Sequence, residues 1–285
     1  MRLVDNRTEV REFLATRRAK IAPSQTDLPF FGRNRRVPGL RREEVALLAG
    51  VSVDYYTRLE KGNLAGVSVS VLEAIARALQ FDEAEREHLF NLARAAHTSA
   101  LRAPRRCGPQ QVRPSVQRIL QSMTTTPAFV RNGRLDVLAI NPLGKALYAA
   151  LFDDPVRPAN LARFCFLDRR AEELYPNWED AANTTVALLH TEAGRDPYDR
   201  ALSDLVGELS TRSEAFRTRW AAHNVRLHNT GVKHFFHPIV GELELTFDAM
   251  ALPPDEGLTL TVYSAEPGSA SEEGLNLLMR LGLTP

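Results

Sequence analysis

Apolar side chains recur at helical spacing through the first hundred residues, and strand-like alternation first appears near residue 128. Arg7–Ala22 predicts a helix with Val10, Phe13, Leu14 and Ile21 on one side, Arg17, Arg18 and Lys20 on the other, and Pro23 closing it. In RREEVALLAGVSVDYYTRL (41–59), Val45, Leu48 and Ala49 predict a second helix, and Ala46 is small enough for close helix approach. Gly50 suits a sharp exit without a Cβ clash, and Ser52 suits an N-cap for a third helix over about Val53–Lys61. That helix points Tyr56 and Leu59 inward and leaves Val53, Asp54, Tyr55, Thr57 and Arg58 outside. This is the pattern of a helix-turn-helix, whose second helix meets base edges in the major groove. Ser68 caps a helix carrying Val71, Leu72, Ile75, Ala76 and Leu79, and Asp82 with Glu85 starts a fifth with Leu89, Phe90 and Leu92. Residues 1–96 thus make an all-α helix-turn-helix domain, and 97–114, with three prolines, a glycine and several arginines, a linker.

Residues 115–285 mix both periods. A short helix at Ser115–Met123 precedes strands Ala128–Arg131 and Arg134–Ile140 around Asn132-Gly133, a hairpin signal. Helices follow at Pro142–Phe152, Asn160–Phe166, Trp178–Ala193, Tyr198–Ser210 and Ser213–His223. Strands return at Val225–His228, Val232–His237, Leu243–Met250 and Leu258–Tyr263, before a last helix at Ser271–Leu283. Two strands, several helices, then three or more strands describe an α+β domain with an antiparallel sheet and helices over one face, the order of a PAS-like sensor fold.

Charge separates the halves. Residues 1–113 hold 20 Lys and Arg against 13 Asp and Glu, and 114–285 hold 16 against 22. A basic first half suits a polyanion such as double-stranded DNA. Arg33, Arg35, Arg36, Arg41 and Arg42 stand immediately before the helix-turn-helix with no acid among them, and phosphates are their natural partners. Two cysteines make no disulfide framework, and no apolar run suggests a signal peptide or membrane span, so a cytoplasmic protein with no membrane partner is expected.

No nucleophile elbow, P-loop, zinc-protease or dinucleotide motif is present, and no catalytic or metal-ligating residue is assigned. His223, His228, His234 and His237 fall within fifteen residues, but His234 and His237 face opposite sides of one strand. Surface or core-satisfied histidines are the default there, with a subset free to bond a ligand head group. Phe164, Phe166, Trp178, Val186, Leu189, Trp220, Phe235 and Leu245 can build an apolar cavity, with His223, Arg226, Lys233 and His237 in the same stretch as polar groups for its mouth. It would take an elongated, mostly apolar effector, fatty-acid-like or a secondary metabolite, ending in a carboxylate or carbonyl. No other cofactor is expected.

GLRREEVALLAGVSVDYYTRLEKG and VLEAIARALQFDEAEREHLFNLA resemble the DNA-binding half of the MmyB-like regulators, within the Xre/Cro helix-turn-helix superfamily. ELYPNWEDAA, EAGRDPYDRALSDLVGELS, RWAAHNVRLHNTGVKHFFHPIVGELEL and YSAEPGS resemble that family's ligand-binding half. The resemblance covers nearly the whole chain. It implies a bacterial one-component transcription factor with a PAS-like sensor, acting as a homodimer. It puts base-reading positions at Val53, Asp54, Tyr55 and Arg58, with Arg42 at the preceding helix start. Val53 can touch only a thymine methyl and Asp54 can accept only from cytosine, so direct readout rests mainly on Arg58 and Tyr55. Two rivals remain: a DNA-binding module fused to a histidine-based enzyme or metal-binding domain, and a DNA-binding scaffold whose distal half only dimerises.

Overall fold

The computed structural model describes residues 6–26, 37, 39–98, 110–153, 157–224 and 229–282. Contact density gathers the chain into two compact units. The first joins Met1–Arg105 with His190–Gly207 and Arg219–Leu227; the second joins Arg106–Leu189, Glu208–Thr218 and His228–Pro285. Residues 99–109 of the expected linker lie outside the described residues.

The first unit is helical: α1 (Asn6–Lys20), α2 (Arg42–Ala49), α3 (Val53–Glu60), α4 (Val69–Ala78) and α5 (Glu83–Thr98). Its ends are made by the residues the sequence supplies for them. Gly50 takes the left-handed region at φ 66°, and Ser52 Oγ accepts the Tyr55 N–H at 3.1 Å. Asp82 and Glu85 bond each other's backbone N–H at 3.1 and 2.8 Å, closing a capping box at the start of α5. Val10, Phe13 and Leu14 pack with Val45, Tyr56, Leu59, Ile75, Leu89 and Leu92 in one core. The cationic side of α1 is not a solvated face: Arg17 is buried with its guanidinium 3.0 Å from Glu85. Arg18 donates from two nitrogens to Glu60, both at 2.9 Å.

The rest of the chain runs α6 (Pro114–Ser122), β1 (Ala128–Arg131), β2 (Val137–Ile140), α7 (Pro142–Leu147), α8 (Ala149–Phe152), α9 (Leu161–Leu167), α10 (Arg170–Leu174) and α11 (Trp178–Arg195). It continues with α12 (Arg200–Arg212), α13 (Glu214–Ala221), β3 (Thr230–His237), β4 (Gly241–Ala251), β5 (Thr259–Ser264) and α14 (Ala270–Gly282). Helices α11, α12 and α13 contribute residues to both units. The five strands form one antiparallel sheet in the order β2-β1-β5-β4-β3. With its helices this is the α+β, PAS-like fold that the element order predicts. The strand expected at Val225–His228 lies outside the described residues.

Two details depart from the expected pattern. The hairpin connection is not the two residues Asn132-Gly133 but the stretch 132–136, because the Asn132 side chain bonds Asp136 from both ends of its amide, at 2.9 and 3.0 Å. Leu135 takes the left-handed turn position at φ 67°, which delays β2 to Val137. Nor do helices cover one face alone. Phe235, Leu243, Leu245, Phe247 and Tyr263 meet Leu143, Tyr148, Tyr175 and Leu278 on one side of the sheet. On the other, Val116 and Leu120 of α6 cover Ala128, Val130 and Leu260, so β1 is buried on both faces.

Candidate functional site

Helix α3 presents its N-terminal half outward. Val53, Asp54 and Arg58 are exposed and Tyr55 is half-buried, while Tyr56 and Leu59 are enclosed in the core. The Arg58 guanidinium lies 5.9 Å from the Tyr55 ring centre, so the two principal predicted base readers form one aromatic–cation pair. Arg42 is half exposed, yet it is oriented from behind: its Nε donates to Glu60 at 3.0 Å. Glu60, fully buried at the end of α3, therefore holds Arg18 of α1 and Arg42 of α2 together. Burial pushes the Glu60 carboxyl up, but the hydrogen bonds from Arg18 and Arg42 outweigh it and hold it below the usual carboxylate range. Arg41 lies 3.3 Å from Glu43. Arg33, Arg35 and Arg36 lie outside the described residues.

In the second unit a cavity of about 50 Å³ opens between the sheet and the helices. Arg131 at the end of β1 and Lys233 on β3 line it, with Phe129, Tyr148, Tyr175, Phe247 and Tyr263 as aromatic walls and Cys165, Thr184, Thr185 and Thr261 as small polar groups. No acidic residue stands among its lining residues. The Lys233 ammonium lies 4.5 Å from the Tyr175 ring centre and 5.6 Å from that of Phe235. Burial pushes its pKa down to about 8, the Cys165 thiol acts to raise it and Arg131 lowers it further. Tyr148 and Tyr263 share a hydrogen bond between their hydroxyls at 2.8 Å, and burial raises both phenols, that of Tyr263 to about 12. A cleft of about 300 Å³ elsewhere in this unit is lined by Arg163, Glu208, Arg212 and Phe164. Its charges answer one another, Glu208 meeting Arg163 at 2.8 Å and Arg212 at 2.9 Å.

The side chains expected to build the ligand cavity go elsewhere. Phe166 packs edge-on against Trp178 and Phe216, and the Trp178 indole donates to the Cys165 carbonyl at 2.9 Å. Leu189 and Phe235 are plain core, and Phe164 packs edge-on against Tyr175 and borders the charged cleft. His237 spends both ring nitrogens on backbone: Nε2 donates to the Ala146 carbonyl at 3.2 Å and Nδ1 accepts the Ile239 N–H at 3.3 Å. It is a core-satisfied histidine with no hydrogen bond to offer a head group, and burial lowers its pKa. Arg226 and His228 lie outside the described residues. His234 is exposed beside Glu244. Trp220 and His223 belong to the first unit, with His190 stacked on Trp220 at 3.7 Å. Sequence reasoning missed Arg131, whereas Lys233, singled out with Trp220 and Arg226, does line the cavity. The signal for Lys233 was present, since it shares a strand face with Phe235 and His237.

Among the described histidines of 223–237, His234 is exposed beside Glu244 and His237 bonds backbone through both ring nitrogens, so neither is set up for catalytic or metal chemistry. Residues 10–89 match the family model of a helix-turn-helix domain. Residues 112–278, more than half of the chain, match the model of the MmyB-like transcription regulator ligand binding domain. No curated protein matches the chain. No described helix is long and apolar enough to cross a membrane.

Proposed function

The chain belongs to the MmyB-like transcription regulators, a helix-turn-helix DNA-binding domain joined to a ligand-binding domain, and from that premise we propose that its effector is a small, mostly apolar molecule with an acidic end. The observation that carries this reading is the pairing of Arg131 and Lys233 in an aromatic cavity whose lining residues include no carboxylate. Two like charges on one aromatic cavity favour an incoming anion, and a guanidinium and an ammonium both suit a carboxylate. Aromatic and aliphatic walls suit a fatty-acid-like or polyketide-like body.

The cavity's size gives the reading its regulatory logic. About 50 Å³ holds a few waters but no elongated chain. Such an effector binds only a second conformation with a wider cavity, so its affinities for the two states differ, as any switch requires. The reading includes DNA contacts by Val53, Asp54, Tyr55 and Arg58 to bases and by Arg33, Arg35, Arg36, Arg41 and Arg42 to phosphates. It includes a homodimer matched to a two-fold operator, and the exposed Val232, Phe236 and Met250 of β3 and β4 support such an interface. It also includes domains at 1–96 and 115–285 about a linker at 97–114, a division that the separate matches over residues 10–89 and 112–278 support.

Calorimetric titration of the full-length protein with saturated fatty acids of eight to sixteen carbons, and with the matching alcohols, tests it. Binding of the acids with at least a roughly tenfold preference over the alcohols is expected for one charge-assisted head-group contact. Equal affinity for acid and alcohol, or no binding by either series, refutes the acidic-effector reading.

A further inference from the structure

Four buried side chains of the first unit converge: Glu9 on α1, His88 on α5, His190 on α11 and His223 just after α13. Glu9 Oε1 lies 3.0 Å from His190 Nδ1 and 3.9 Å from His88 Nε2, and Glu9 Oε2 lies 3.9 Å from His223 Nε2. One donor atom each from Glu9, His190 and His223 fall within 4.8 Å of one another. We propose that these residues, with His88 as the fourth, form a binding site for a divalent transition metal of the zinc class.

The hydrogen bonds around the cluster select which nitrogens face inward. His190 Nε2 lies 3.0 Å from the Trp220 carbonyl and His223 Nδ1 lies 3.2 Å from the Ala221 carbonyl. A carbonyl only accepts, so each of those nitrogens carries the ring proton. His190 Nδ1 and His223 Nε2 are then the ring nitrogens that face the Glu9 carboxylate. A ring nitrogen that faces a carboxylate either carries a second proton or meets a cation held between them, and one divalent ion here would serve Glu9 and both imidazoles at once. Anchoring the far ring nitrogen to a backbone carbonyl is how proteins orient a metal-binding imidazole. His223 Nε2 makes no hydrogen bond, although Glu12 Oε2 is 3.2 Å away, and neither ring nitrogen of His88 has a hydrogen-bond partner. A buried imidazole with both nitrogens unbonded is costly unless a ligand takes one.

Three imidazoles and one carboxylate make a four-donor nitrogen–oxygen set, without sulfur, that suits zinc. Tetrahedral ligands at about 2.0–2.1 Å sit roughly 3.4 Å apart, so the Glu9, His190 and His223 donors, within 4.8 Å of one another, must close by up to about 1.4 Å. Surrounding features favour close placement. Gly194 lets α11 approach α5, since a Cβ there would come 2.5 Å from His88 Cε1, and His223 holds a left-handed backbone at φ 49°. Glu9 and His88 come from the helix-turn-helix end of the chain, whereas His190 and His223 fall inside the stretch matched as ligand-binding domain. A bound ion would therefore tie segments of both origins within one compact unit, and metal supply would become a second input to the regulator.

The test is a titration of chelator-treated full-length protein with Zn²⁺ and, separately, with Co²⁺ as an optical reporter. One tight equivalent with the intense visible bands of tetrahedral Co²⁺ is expected, as is an X-ray absorption shell of nitrogen and oxygen with about three imidazoles. His88→Gln and His223→Gln should each weaken Zn²⁺ by at least the 10–100-fold typical of losing even an outer partner. Absence of uptake at millimolar Zn²⁺ overturns the proposal. So does uptake that both variants retain at wild-type affinity, or a sulfur-containing or six-oxygen shell. The absorption measurement uses wild-type protein, so it decides the matter even if both variants misfold.

Discussion

The ammonium of Lys233 sits 4.5 Å from the centre of the Tyr175 ring, with the Arg131 guanidinium on the same cavity and no acid among the lining residues. The ring face stabilises the charge in part, but burial still drives the Lys233 pKa down to about 8. An acidic effector binds the protonated form. Its affinity should therefore be full below about pH 8 and fall as pH rises above that value, with proton uptake on binding near pH 8. Titrations at pH 7.0 and 9.5 in buffers of different ionisation enthalpy read both quantities. A pH-independent affinity without proton uptake would remove Lys233 from the head-group site.

The same burial predicts that replacing Lys233 stabilises the free protein. The unfolded chain holds its Lys233 proton up to the ordinary value of 10.5 and the folded chain only to about 8, so between them stability rises with pH. Below that window the charged form costs the fold its full penalty. Lys233→Met fills a similar volume without charge and should raise the melting temperature at pH 7 while weakening an acidic effector by about 1.5–3 kcal/mol. A variant that loses stability and keeps effector affinity contradicts both halves of the argument.

How far the sequence is legible follows from the range of the interactions. The turn at Gly50 and the cap at Ser52 involve neighbours within a few residues, and both stand where the residue pattern puts them. The face of α3 was legible for the same reason, since Tyr56 and Leu59 inside leave Arg58 outside. The cavity was not, because it depends on sheet order. Antiparallel pairing inserts β5 between β1 and β4, which brings Arg131 and Lys233 together across a hundred residues of chain. Apolar residues such as Phe235 and Leu189 have the same character whether they line a ligand or fill a core, so pattern alone does not separate the two roles. The histidine cluster was hidden by distance. His223 was visible beside His228, His234 and His237, yet its described companions are His190, His88 and Glu9, the last 214 residues away in the chain.

Arg58 and the arginines before α2 should fail differently. Arg58 projects from the outward face of α3 beside Tyr55, where a guanidinium can reach a guanine edge. Arg58→Ala should cost about 1–3 kcal/mol on the operator and relax preference at one base pair. Arg36→Ala should weaken every duplex alike and flatten the logarithmic salt dependence by roughly one phosphate contact. Operator and scrambled duplexes titrated at several salt concentrations separate the two. Identical behaviour of the variants would mean that α3 does not lie in the groove by its N-terminal half.

Glu60 ties the reading helix to its supports, and its removal should be felt as stability before it is felt as affinity. It is fully buried and accepts from Arg18 and Arg42, so Glu60→Ala leaves two cations facing a hole in the core. Breaking a buried pair in this way costs about 3–5 kcal/mol. The sign of the acid response follows from its lowered pKa: the unfolded carboxyl takes up a proton near its ordinary value of 4.5, the folded one only at lower pH. The stabilisation is therefore complete above that ordinary value and disappears as pH falls through the folded one. Denaturant midpoints for wild type and Glu60→Gln should converge on acidification and diverge above pH 5. Because the glutamine keeps the shape and one acceptor, it should retain the α3 fold at neutral pH with a smaller loss than alanine. Equal losses for the two substitutions would show that the volume of the side chain, not its bonds to Arg18 and Arg42, is what holds α3 in place.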